Sequence, residues 1–293
     1  MATVLAISSQ VARGHVGLSA IGPALTRLGH RVIALPTVLL SNHPGHAHKA
    51  GVVVAPETLE AMLAALDANG WLGEVDAVLS GYLPSAAHVR VVAAALERVA
   101  RARRGGEFQR ASGDRAGHNK PFYICDPVLG DDPRGLYIEA GAAAAIRDEL
   151  VARADTVKPN RFELAWLAGR DVATAADARA AAIALARPLV LATSIDGGGG
   201  HIANIAVAGD DAFTCRVARR ARAPHGTGDL LTALFAGRVL AGLAVADALG
   251  RAVAGVDAVL ALSEGADELA LTAAGDAVAT AAACAVERMG PVL

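Results

Sequence analysis

Aromatic side chains are nearly missing from this sequence: rings make up 3% of 293 residues, against 54% hydrophobic residues overall. That scarcity excludes a core built on rings and requires one assembled from Ala, Val and Leu, a composition that suits helices laid on a parallel sheet. Cysteine is also sparse. Cys125, Cys215 and Cys284 are an odd number in scattered places, which argues against a disulfide framework and for a reducing compartment. Nor does either sign of charge dominate: 27 basic residues against 29 acidic ones leave a net charge of -2, with no global field to draw in nucleic acid or an anionic membrane. No apolar run approaches the roughly 18 residues of a membrane span. Met1 to Ile7 enters an apolar, strand-like run without the charged start and long apolar stretch of a signal peptide. A cytoplasmic protein with a small-molecule partner is expected, with no nucleic-acid or membrane role.

What is present is an alternation. Short β-branched or Leu-rich runs at Val4 to Ile7, Val32 to Leu35, Val75 to Leu79, Phe122 to Cys125 and Leu189 to Ala192 are each followed by an Ala-rich stretch. Such βαβ units predict a three-layer α/β fold, a mostly parallel sheet covered on both faces by helices. Helices are predicted near 16–28, 56–69, 85–103, 140–151, 161–168, 174–186, 227–241, 244–263 and 275–288. Ile202 to Val207 and Phe213 to Val217, joined through Asp210 and Asp211, predict an antiparallel pair. Arg101 to Lys120 carries four glycines and many charges, which predicts a flexible insertion at 101–120 within a single domain spanning 1–293.

The sharpest motif is Gly226-Thr227-Gly228-Asp229, followed by Leu234, Phe235 and Val239 on a helical stripe. Two glycines permit a tight turn that brings backbone N–H groups to one anion, and the helix starting there adds the positive end of its dipole. An aspartate fixed beside such a phosphate cradle can take a proton from an attacking hydroxyl while the amides hold the charge building on a phosphoryl group. Taken alone, Asp229 is equally well read as a residue favouring a helix start.

Further segments recur in order: SQVARGHVGLSA at Ser9 to Ala20 with its preceding strand, TVLLSNH at Thr37 to His43, SGYL at Ser80 to Leu83, CDPVLGD at Cys125 to Asp131, and KPNRFEL at Lys158 to Leu164. With Gly226 to Asp229, this set resembles the pyridoxal kinases of the ribokinase-like superfamily. The resemblance implies ATP-dependent phosphorylation of the 5′-hydroxymethyl group of pyridoxal, and of pyridoxine and pyridoxamine as further candidates. It implies that Asp229 is the general base and that the amides of Gly226, Thr227 and Gly228 form the anion hole. Asp126, Lys158, Glu163, Thr193 and Ser194 are implied to contact ATP, with Asp126, Asp131 and Glu163 near Mg²⁺. A monovalent cation such as K⁺ is an additional candidate. Ser9, His43 and Tyr82 are implied to border the vitamer. Val16 and Val38 would add apolar surface, since a flat heteroaromatic needs apolar faces and a few polar groups at its edge. A homodimer is implied as well.

Departures from the family pattern fall on the vitamer side: Pro44 and Gly45 follow SNH, Leu18 replaces the usual Asn, and Ser8 the usual Gln. They leave two other readings open, a hydroxymethylpyrimidine kinase of thiamine synthesis and a catalytically silent vitamer-binding protein. His43, His46 and His48 invite a metal reading, but a loop over the ligand fits them better. Gly197 to Gly200 lacks the strand and helix setting of a dinucleotide fingerprint and reads as a loop near the nucleotide.

Overall fold

The computed structural model describes residues 1–105 and 120–290. Its strands are β1 (Thr3–Val11), β2 (Arg31–Leu40), β3 (Gly51–Val53), β4 (Ala77–Ser80), β5 (Phe122–Cys125), β6 (Gly130–Asp131), β7 (Gly135–Leu136), β8 (Thr156–Val157), β9 (Leu189–Gly198), β10 (His201–Ala208), β11 (Asp211–Ala218) and β12 (Glu287–Arg288). Its helices are α1 (Leu18–Arg27), α2 (Pro56–Ala68), α3 (Ala86–Gly105), α4 (Ala140–Ala145), α5 (Arg161–Ala168), α6 (Ala175–Ala184), α7 (Thr227–Leu240), α8 (Val245–Leu262), α9 (Leu271–Ala274) and α10 (Ala277–Thr280).

Among the described residues, one sheet has the order β12-β11-β10-β9-β8-β5-β4-β1-β2-β3, and β6 pairs with β7 apart from it. From β9 across to β2 the strands are parallel. The flanking β3 and the β10 to β12 edge are antiparallel. Side chains that alternate along each central strand are apolar on both faces. Val4, Ala6, Ala77, Leu79 and Ile124 join α1, α7 and α8 in one core. Their neighbours Leu5, Ile7, Val78, Tyr123 and Cys125 join α2, α3 and α4 on the other side. A further cluster packs α5 and α6 against β9 and β10. Burial on both faces is why these runs are continuous rather than alternating in polarity.

The three-layer α/β expectation therefore holds, and so does the antiparallel β10-β11 pair. Helix α7 differs from the predicted stripe, because every residue from Leu230 to Arg238 is buried; it runs through the core rather than over it. The helix predicted at 275–288 does not form. After the short α10, Ala281 turns extended, and the chain continues to β12, which adds Arg288 opposite Phe213. Cys284 donates its amide to the Gly250 carbonyl of α8. Docking against α8 and the sheet edge overrides the helical preference of an Ala-rich stretch. Of the stretch expected as a flexible insertion at 101–120, residues up to Gly105 continue α3, and residues 106–119 lie outside the described ones. Among the described residues no helix is long and apolar enough to cross a membrane.

Candidate active site

The carboxyl ends of the parallel strands deliver the predicted residues to one edge, the place where open α/β sheets bind ligands. β1 carries Ser8 and Ser9, β4 leads into Gly81 and Tyr82, β5 into Asp126 and β8 into Lys158; Thr193 bridges to Asn160 just beyond the β8–β9 pairing.

The glycine loop enters this edge from α7. Gly226 is the N-cap in a left-handed conformation, φ 95°, and a Cβ there would lie 1.8 Å from the His15 carbonyl oxygen. Both facts require glycine. Thr227 Oγ1 donates to the Pro224 carbonyl at 2.9 Å and closes the loop. The first intrahelical bond is from Leu230 to Gly226, so the Thr227 and Gly228 amides precede the hydrogen-bonded helix and present free donors at the positive end of its dipole. Asp229 follows in the first turn, half-buried, with its Oδ2 accepting from the Gly17 amide at 2.9 Å. Removal from water and then the nearby Asp126 push its carboxyl up to about 6, while the Gly17 amide and Lys158 pull the other way. The group is ionised at neutral pH and has the basicity of an effective proton acceptor.

Behind the loop lies a buried polar network. Lys158 Nζ contacts Asp126 Oδ2 at 2.9 Å, with both side chains less than a tenth exposed. Thr232 Oγ1 lies 2.6 Å from the same oxygen and 2.9 Å from the Gly228 carbonyl, which links the strand end to the glycine loop. Burial alone would lower the Lys158 ammonium; Asp126 and Glu163 overcome that and raise it, so the amine stays charged. Glu163 forms a capping box with Asn160: its Oε2 accepts from the Asn160 amide at 2.8 Å, and Asn160 Oδ1 accepts from the Glu163 amide. Oε1 accepts from the Leu129 amide at 2.9 Å. Val128, just before, holds φ 41°, a costly conformation for a β-branched residue. Burial drives the Glu163 carboxyl upward against Lys158.

The three carboxylates expected near Mg²⁺ thus have different surroundings. Glu163 accepts one backbone amide on each oxygen, Asp126 shares Oδ2 with Lys158 and Thr232, and Asp131 is exposed on β6. Among the described residues no group of three or more His, Cys, Asp or Glu converges to hold a metal ion, His43, His46 and His48 included. This donor set does not fit an all-protein cage. It does fit Mg²⁺ carried on phosphates, which keeps waters and needs only one or two carboxylates.

On the other side of Asp229, Ser9 is half-buried and packs so closely that a Cβ on Gly17 would lie 2.3 Å from its Oγ. Ser8, fully buried, accepts the Tyr82 amide at 3.1 Å, and Thr37 donates to the Tyr82 carbonyl at 2.7 Å. Tyr82 and Val16 are half-buried, whereas Val38 is 4% exposed and offers little surface. His43, half-buried, stacks on His225. Leu18, the departure from the usual Asn, is absorbed by the core under α7. At the nucleotide edge Thr193 is buried, while Ser194 is exposed at φ 60° where β9 shifts register against β10. Gly198 to Gly200 make the β9–β10 hairpin turn, so no dinucleotide fingerprint exists there.

Sequence reasoning missed Gly17, Thr232 and Tyr137. Thr232 was findable, one helical turn after Gly228 on the same face. Tyr137, whose amide donates to the Leu129 carbonyl at 3.0 Å, is 46% exposed at residue level, yet its phenol is raised by burial and then by the negative charge of Glu163, Asp126, Asp131 and Asp229; no local signal marks it.

The chain is similar to known proteins over most of its length. Residues 111–271 match the family described as phosphomethylpyrimidine kinase. The chain is 36% identical over 285 residues to the pyridoxal kinase PdxY of Deinococcus radiodurans, covering 92% of this chain and 91% of that one. It is 37% identical over 245 residues to the pyridoxine/pyridoxal/pyridoxamine kinase of Bordetella avium, covering 82% and 78%. Among solved structures, the pyridoxal kinase of Leishmania donovani in complex with ADP and pyridoxamine superposes with a TM-score of 0.89 at 28% identity, over 99% of this chain and 100% of that one.

Proposed function

This chain belongs to the pyridoxal kinases of the ribokinase-like superfamily, and from that premise we propose that it transfers the terminal phosphoryl group of ATP to the 5′-hydroxymethyl group of pyridoxal, with pyridoxine and pyridoxamine as further acceptors. The observation that carries the reading is Asp229, an ionised but weakly basic carboxylate steered by the Gly17 amide to the mouth of the glycine loop. Asp229 takes the hydroxyl proton as that oxygen bonds to the terminal phosphorus and ADP departs. The amides of Thr227 and Gly228, with Gly226 shaping the turn, hold the charge on the phosphoryl oxygens, since phosphoryl transfer depends on alignment and charge stabilisation.

Lys158 and Asp126 set the polarity of the floor beneath the phosphates, and Thr193 and Ser194 border the nucleotide. Asp126, Glu163 and Asp131 are the residues that would hold Mg²⁺ brought in with ATP, and the ion would supply charge neutralisation on the phosphates. Ser9, Tyr82, Val16 and His43 line the vitamer side, with Val38 as backing. A single domain spanning 1–293, a homodimeric assembly, cytoplasmic location and a monovalent cation such as K⁺ belong to the same proposal. The activities for which the relatives are named support the vitamer assignment. The family description at residues 111–271 favours one second reading, a hydroxymethylpyrimidine kinase. An ADP-release assay with pyridoxal, pyridoxine, pyridoxamine and hydroxymethylpyrimidine separates the two: turnover with hydroxymethylpyrimidine and none with pyridoxal would reverse the assignment.

A further inference from the structure

The loop between β2 and β3, residues 41–50, crosses from the vitamer side toward the glycine loop. Its described hydrogen bonds stay within the loop, apart from the one from the Arg13 amide to the Ser41 carbonyl: Ser41 and Ala50 bond each other, Asn42 Nδ2 donates to the His43 and His48 carbonyls, and Lys49 donates to the Pro44 carbonyl. Contact with the catalytic loop is made by rings. His43 stacks on His225 with centroids 3.6 Å apart and planes 20° from parallel. The Gly45 amide donates to His43 Nδ1 at 3.0 Å, which fixes the neutral ring with its proton on Nε2. A Cβ on Gly45 would lie 2.8 Å from His225 Nε2 and 3.0 Å from His43 Nδ1, so the loop backbone rests directly against both imidazoles. His225 immediately precedes the N-cap Gly226 and stands four residues before Asp229.

We propose that His225 is a positioning residue for the vitamer: by stacking on His43 it pins the 41–50 loop across the vitamer side of the cleft, in fixed register with Asp229. The inference rests on the vitamer-kinase reading above. Pro44 and Gly45 fit the role, since the loop lacks a hydroxyl there and Gly45 permits the close approach. The pair stacks as two neutral rings. Burial, followed by His225, His46, Arg134 and Lys49, holds His43 down to about 4. Burial, Arg134, His46 and Arg222 lower His225, with Asp131 opposing.

Because the clamp shapes bound substrate without touching the reacting atoms, its loss should act on vitamer KM rather than on kcat. A stacked ring pair is worth about threefold to tenfold in an equilibrium. His225→Ala is expected to raise pyridoxal KM by that factor, with kcat and the KM for ATP nearly unchanged. His225→Phe, which keeps a stacking ring, restores the pyridoxal KM. His43→Ala, which removes a ring from the vitamer side as well as the stack, should raise the pyridoxal KM at least as much as His225→Ala, and the double variant should be no worse than His43→Ala alone, since the stack is lost only once. The proposal is overturned by an unchanged pyridoxal KM in His225→Ala, by additive effects in the double variant, or by failure of His225→Phe to rescue. A lowered KM in His43→Ala also overturns it, because His43 would then be standing in the place of the vitamer ring. Failure of the function itself looks different: the unaltered chain would release no ADP with any vitamer.

Discussion

The amide of Gly17 and the carboxylate of Asp229, 212 residues apart in the chain, meet at 2.9 Å. This one bond ties the loop after β1 to the first turn of α7 and aims the base. Gly17 holds φ 57°, and a Cβ there would lie 2.2 Å from the Ser9 carbonyl oxygen. Gly17→Ala should therefore shift the loop, cost about 1 to 3 kcal/mol of stability and lower kcat by about 100-fold, the scale of a displacement near 1 Å at a reacting centre. Urea unfolding and steady-state rates check it; a variant with wild-type kcat would remove Gly17 from the account.

Much of the site was legible because its parts are local. Gly226 to Asp229, Glu163 in the first turn of α5 and Asp126 at the end of β5 each sit within a few residues of the backbone feature that positions them. What was not legible is the pairing between parts. No spacing foretells that Thr232 reaches Asp126, that Leu129 fills Glu163, or that His225 finds His43. The fold shows the same division: the strand runs that are apolar on both faces were found, but the 275–288 stretch was misread because its extended course depends on α8 and the edge of β11.

Lys158 is 5% exposed and faces Asp126. Lys158→Ala leaves buried negative charge without its partner, a change that costs about 3 to 5 kcal/mol. Chemical denaturation measures it. A loss below about 1 kcal/mol would mean that the carboxylates are satisfied without the amine.

Glu163→Gln keeps an acceptor for either the Leu129 or the Asn160 amide but removes a charge near the phosphates. The Mg²⁺ concentration for half-maximal rate at fixed ATP should rise severalfold, about the effect of losing one nearby charge interaction of roughly 1 kcal/mol. Superimposable metal titrations would contradict a role for Glu163 near the ion.

Asp229 also affects stability. Its folded carboxyl is raised from an ordinary 3.8 to about 6, so the folded state binds the proton more tightly than the unfolded one. The ionised group therefore destabilises the fold above about pH 6, and that cost fades as pH falls toward 4. Asp229→Asn, which keeps an oxygen for the Gly17 amide, should gain about 1 to 3 kcal/mol at pH 8 and no more than about 0.5 kcal/mol near pH 4. A loss at pH 8 would show that the charge is stabilising where it stands.

The most direct measurement is ADP release with pyridoxal by the unaltered enzyme and by Asp229→Asn, followed from pH 5 to pH 8.5. The account predicts that the unaltered rate falls tenfold per pH unit below about 6, as the base becomes protonated. The variant should lose this limb and turn over about 10² to 10⁴ times more slowly, with ATP affinity unchanged. A variant within tenfold of the unaltered rate, or one that keeps the same acid limb, would contradict the assignment of Asp229 as the base.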